Sequence, residues 1–118
     1  MVKPPARLFN RQLLVLMPVE VQNNTRNFQF EVELDGERAE MQYRMRNSTM
    51  YLMHTKVPDA FRGKGVASTL ARHALEYARD NGHKIAVLCP FVASYVKRHP
   101  EWYDHYDTNF HKGDFRNQ

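Results

Sequence analysis

The chain has 118 residues and a formal net charge of +4, with 17 Lys and Arg against 13 Asp and Glu, and 42% of it is hydrophobic. That is one domain's worth of chain, too short for a separate substrate domain, and no apolar run approaches the ~20 residues of a membrane span. The single cysteine, Cys89, excludes an internal disulfide framework and a cysteine-based zinc site and points to a reducing compartment, the cytoplasm.

Residues 1–18 read as an N-terminal leader or arm. Lys3, Arg7 and Arg11 precede the first acid, Glu20, a pattern weakly like that of an organelle import signal, while Pro4, Pro5 and Pro18 suit an extended leader. The apolar run 13–17 fits an edge strand, a core-covering arm or a leader remnant equally well.

From Phe28 the pattern sharpens. Phe28, Phe30, Val32 and Leu34 alternate with Gln29, Glu31 and Glu33, which predicts a strand with one apolar face. Asp35-Gly36 supplies a two-residue turn, and Ala39, Met41, Tyr43 and Met45 then alternate with polar residues as an antiparallel partner. After a turn at Asn47-Ser48, the run 49–57 carries apolar groups on both faces, Met50 and Leu52 on one and Tyr51, Met53 and Val57 on the other. It is therefore expected to be central, with His54 and Thr55 well inside the domain, one on each face.

Residues 66–79 form an apolar stripe at helical spacing through Val66, Leu70, Ala74 and Ala78, with Arg72, His73, Glu76 and Arg79 expected to face water. Asn81-Gly82 ends that helix, and a strand at 85–89 completes a βαβ unit whose strands should run parallel through a right-handed crossover. Pro90 opens a second helix with Phe91, Val92, Tyr95 and Val96 inward, and His99-Pro100 closes it. Tyr95 is expected in the core and Lys97 on the solvated surface. The compact domain is expected over 19–103, followed by a tail at 104–118 rich in aromatics and histidines that would cover an edge or make a dimer contact.

Between the central strand and the first helix lies Val57-Pro58-Asp59-Ala60-Phe61-Arg62-Gly63-Lys64-Gly65-Val66-Ala67. Glycines at a strand-to-helix handover mark an anion site, because the first helical N–H groups lack intrahelical acceptors and the helix dipole adds positive potential. Arg62 and Lys64 add charge at the same spot. G-x-x-x-x-G-K-[ST] is absent, and Gly63-Lys64-Gly65 is not continued as G-x-G-x-x-G because position 68 is Ser, which sets aside nucleotide hydrolysis and dinucleotide binding. What fits is R-x-x-G-x-A, through Arg62, Gly65 and Ala67.

That motif resembles the acetyl-coenzyme A signature of the GCN5-related N-acetyltransferase (GNAT) superfamily. The longer run from His54 through Ala67, with Cys89-Pro90-Phe91-Val92, Tyr95-Val96-Lys97 and His99-Pro100-Glu101, is similar to its small YjdJ-type branch over roughly residues 19–103. The resemblance implies a minimal α/β (α+β) GNAT-like fold: a mixed, mostly antiparallel sheet, a parallel βαβ unit at the cofactor site and two helices. It also implies acetyl-CoA as cosubstrate, held by Val57, Arg62, Gly63, Lys64, Gly65, Val66 and Ala67, and acetyl transfer to an amine, peptide or protein acceptor. The small branch lacks the pair of helices that usually builds the acceptor pocket, so the acceptor stays unidentified and a non-catalytic coenzyme A sensor or scaffold is the alternative.

Two residues are the candidates for chemistry. Cys89 precedes the Pro90 helix, where the dipole favours a thiolate, and His54 is expected near the same sheet edge. That is a nucleophile and base arrangement; a buried thiol beside a hydrogen-bonded histidine is the plainer reading. The resemblance likewise implies Cys89 as acetyl acceptor with His54 as base, the competing mechanism being direct amine attack. The other histidines, His73, His83, His99, His105 and His111, show no metal-ligand spacing, so no metal is expected. Net charge would suit nucleic acid, but no RNP-like or helix-turn-helix signature accompanies it.

Overall fold

The computed structural model describes residues 20–63 and 65–112. The leader with its apolar run 13–17, Lys64, and the tail from 113 onward lie outside the described residues. Five strands form one sheet in sequence order: β1 (Gln22–Asn24), β2 (Gln29–Leu34), β3 (Glu37–Arg46), β4 (Thr49–Lys56) and β5 (Lys84–Val87). The first four pair antiparallel and β4 pairs with β5 in parallel, so the mixed sheet and the βαβ unit are as expected. Helix α1 (Val66–Asp80) makes the crossover and α2 (Pro90–Arg98) follows β5. Two short 3-10 turns, Asp59–Phe61 and Pro100–His105, complete the described elements.

Both helices lie on one side of the sheet. Phe30, Val32, Ala39, Met41, Met50, Leu52 and Ile85 point to that side, where Leu70, Ala74 and Leu75 of α1 and Val92 and Val96 of α2 meet them, all essentially solvent-free. Burying each of the larger side chains contributes about 1.5–3 kcal/mol. Tyr95 joins this core and Lys97 is exposed. The other face of the sheet carries Gln29, Glu31, Glu40 and Gln42, joined by side-chain hydrogen bonds, as Gln29 Nε2 donates to Glu40 Oε1 at 3.3 Å and Gln42 Nε2 to Glu40 Oε2 at 3.4 Å.

Three expectations need correction. Phe28 is not in a strand: it sits in the turn before β2 with φ 56° and is 44% exposed, so the alternating set begins at Phe30. His73 does not simply face water, since its ring meets Phe30 edge-on at 5.4 Å and burial pushes its imidazole below its usual pKa. The third correction concerns β4. Its pairing with β3 runs Tyr43 to Leu52 and then Gln42 to His54, so Met53 is an extra residue, a β-bulge. Beyond it the alternation changes phase. Thr55, opposite Met41, takes the helix-facing side that unbroken alternation from Met50 and Leu52 would give to His54. His54 is consequently exposed on the polar face, opposite Gln42.

Candidate active site

The ladder between β4 and β5 ends at Leu52 and Val87. The N–H groups of Leu88 and Cys89 both donate to the Leu52 carbonyl at 3.0 Å, which turns the chain away from β4. Meanwhile β4 runs on to Lys56, paired with β3, so the two strands part at their carboxyl ends. A gap at parallel strand ends, outside the sheet and next to helix starts, is where open α/β sheets bind ligands.

The glycine loop arrives at this gap. Val57 packs partly buried against the core, and Phe61 is buried in the 3-10 turn that follows. Arg62 is exposed, its Nε bonded to Asp59 Oδ1 at 2.9 Å in a surface pair of little stabilising value. Gly63 (φ 77°) and Gly65 (φ 70°) both occupy the left-handed region, and nothing lies within 4 Å of where a Cβ would stand on either. Gly65 is the N-cap of α1 and makes no side-chain cap bond; the first helical bond is Thr69 N–H to the Gly65 carbonyl, 3.0 Å. At an N-cap a Ser or Asp exceeds Gly by only a few tenths of a kcal/mol, and the left-handed φ here favours glycine. Here the first-turn amides, from buried Val66 through Ala67, have no side-chain cap and no acidic residue in that turn. The residues present fit an anionic group approaching the main chain.

Cys89 is the N-cap of α2, with Pro90 in the first turn, as its position in the sequence suggested. It is not accessible, being 2% exposed. Its sulfur lies 3.3 Å from Thr55 Oγ1. Because of the bulge, the group on Cys89 is the threonine hydroxyl, while His54 stands on the opposite face of β4. The structure thus brings Thr55 and Cys89 together and leaves His54 apart from them.

Two groups that the sequence did not single out lie on the C-terminal segment packed against β4 and β5, Asp107 at the start of β4 and His111 at the end of β5. Asp107 Oδ2 accepts from Thr49 Oγ1 at 2.6 Å, which holds its carboxyl below the usual carboxylate range. His111 Nε2 accepts from the Val87 N–H at 2.9 Å. Neither lies in a periodic segment, so only the aromatic and histidine content of the tail hinted that it packs on something. Among the described residues no cluster of three His, Cys, Asp or Glu is arranged to hold a metal ion.

A mixed sheet whose parallel strands, β4 and β5, part beside a glycine-capped helix start places the protein in the α+β class. The sequence profile of the GCN5-related N-acetyl-transferase family matches residues 28–106, and the chain belongs to that family. Among curated relatives it is similar to protein NATD1 of Homo sapiens, 37% identical over 86 residues that cover 70% of this chain and 76% of the relative. The Danio rerio NATD1 is 29% identical over 85 residues, 70% of this chain and 77% of that one. Among solved structures, a GCN5-like putative N-acetyltransferase from Staphylococcus aureus superposes with a TM-score of 0.60 at 28% identity, covering 76% of this chain and 89% of the other.

Proposed function

We propose that the protein is an acetyl-CoA-dependent acyltransferase acting on an amine, of the small YjdJ-type branch that its linked motifs resemble, and that it works in the cytoplasm. The observation that carries this reading is the loop at Gly63 and Gly65. Two left-handed residues with open space above them present an uncapped helix start at the gap between β4 and β5. In this reading the pyrophosphate of the cofactor docks on residues 62–67 beside Val57, and the thioester reaches the gap.

Isothermal calorimetry tests it. Acetyl-CoA should bind at least about tenfold more tightly than inorganic tripolyphosphate, a difference of about 1.4 kcal/mol. Equal affinity would sink the reading. Gly65→Asn and Gly65→Asp form a matched pair, since both side chains tolerate φ 70° better than most and differ by one charge. Asp should weaken binding by at least another ~10-fold relative to Asn, as a carboxylate would stand where the pyrophosphate docks.

Direct attack by the acceptor amine is the route the geometry favours, with exposed His54 or water taking the proton on the polar face. A covalent route through Cys89 rests on a different observation, its place as N-cap of α2 at the gap. Intact-protein mass spectrometry after mixing with acetyl-CoA separates them. A single hydroxylamine-sensitive acetyl group, absent in Cys89→Ser, supports the covalent route, and full turnover by Cys89→Ala rejects it. Tight cofactor binding with no transfer to amines, peptides or thiols would identify a sensor instead.

A further inference from the structure

The outer edge of β5 is completed by a side chain. Lys84 N–H donates to the carbonyl of Ser48, just before β4, and Leu88 N–H to that of Leu52 in β4, at 3.1 and 3.0 Å, so the alternating main-chain groups of Ile85 and Val87 point to the opposite edge. There the C-terminal segment supplies partners. Tyr106 bridges Ile85 in parallel, and the Asp107 N–H donates to the Ile85 carbonyl at 2.7 Å. Next along, the Val87 N–H, which another strand's carbonyl would normally take, donates to His111 Nε2.

The imidazole is held for this purpose. It stacks on Tyr106 at 4.2 Å and meets Phe110 edge-on at 4.8 Å, while Phe110 in turn meets Tyr51 of β4 at 5.5 Å. The main-chain N–H of His111 donates to the Asp107 carbonyl at 2.8 Å, which fixes the backbone from which the ring projects. An imidazole nitrogen accepts a hydrogen bond only when it carries no proton, so this contact requires neutral His111. Just beyond Val87 come Leu88 and Cys89, where the chain leaves β4 and α2 begins.

We propose that His111 is a positioning residue for the cofactor gap: its neutral imidazole fixes the end of β5, and protonation releases that end together with the Leu88–Cys89 turn. Among the described residues, the titratable groups around it include Asp107 and Tyr106 on its own segment and, through Phe110, Tyr51 of β4; β5 contributes the Val87 amide. Tyr106 is pushed up to about 12 by burial and stays neutral, whereas the Asp107 carboxylate favours the imidazolium. Burial outweighs Asp107 and lowers His111 below 6.5, so the neutral clamp is complete above the unfolded value. Its contribution is lost as pH falls below 6.5 through the lower folded value.

The functional half of this proposal rests on the acetyl-CoA reading; the clamp itself does not. NMR on the full chain tests the clamp. From about pH 8 to 5, the Val87 amide shift should follow the His111 imidazole with one shared midpoint below that of an ordinary histidine. Calorimetry with coenzyme A then compares the parent with His111→Gln, which keeps an acceptor that does not titrate, and His111→Ala, which keeps none. The parent should match Gln near neutral pH and fall roughly three- to tenfold below it in acid, the scale of one hydrogen bond. His111→Ala should be weak throughout. Because the phosphates of coenzyme A protonate alike for every variant, the ratio isolates His111. A parent-to-Gln ratio constant with pH, or a Val87 amide that ignores the His111 titration, overturns the proposal. If no variant binds coenzyme A at any pH the positioning role falls with the proposed function, and a shared Val87 and His111 titration would show that the clamp itself survived.

Discussion

The Cys89 sulfur is packed against the Thr55 hydroxyl, and reagents reach it at the rate at which the surrounding structure opens. Alkylation by iodoacetamide, followed by intact mass, should be at least ~10-fold slower in the native protein than in denaturant. Rapid native alkylation would return Cys89 to the list of working nucleophiles. Thr55→Val removes the hydroxyl at nearly constant shape and should change stability by no more than about 1 kcal/mol, since a thiol is a weak partner. The identities of His54, Thr55 and Cys89 were plain in the sequence, as was the place of Cys89 at a helix start. Which neighbour Cys89 would meet was not, because one unpaired residue, Met53, reverses the faces that alternation assigns.

At the level of elements, the parts with strong local signals were legible. The Asp35-Gly36 and Asn47-Ser48 turns adopt the positive φ angles that such dipeptides favour, and α1 follows its apolar stripe within a residue. Strand β1 has only three residues and no apolar alternation, so nothing in it announced a strand. The bulge is the element-scale feature with most effect on the site, because an extra residue bends and twists a strand just where β4 leaves β5. Deleting Met53 would make Leu52 and His54 consecutive opposite Tyr43 and Gln42, keeping every side chain on its present face. The deleted protein should therefore fold cooperatively, with circular dichroism melts like the parent's, yet bind acetyl-CoA at least ~10-fold more weakly once the bend is gone. A deletion that binds normally would show that the gap does not depend on the bulge. Truncation in the centre of α1 acts on the fold instead: Leu70→Ala, at a fully buried position, should cost about 2–5 kcal/mol in denaturant unfolding.

Over the whole molecule, the described helices cover one face of the sheet and, among the described residues, the C-terminal segment covers the other near β4 and β5, through Phe110 on Tyr51 and Asp107 on Thr49. Ala86, on that second face beside Tyr51, is fully buried. A chain ending at His105 would lose the buried Tyr106 ring and the Ile85, Val87 and Thr49 contacts together. It should melt several degrees lower, as a loss of about 2 kcal/mol implies for a chain of this size. Unchanged melting would mean that the segment contributes nothing to the fold. The one-sided arrangement also leaves a signature that needs no coordinates. In a library of single substitutions scored for folded yield, tolerance along β2 and β3 should rise and fall every second residue, with Phe30, Val32, Ala39 and Met41 intolerant and Glu33 and Arg38 permissive. Along β4 the same beat should skip at Met53, and the skip would let genetic data alone locate the point where the sheet opens.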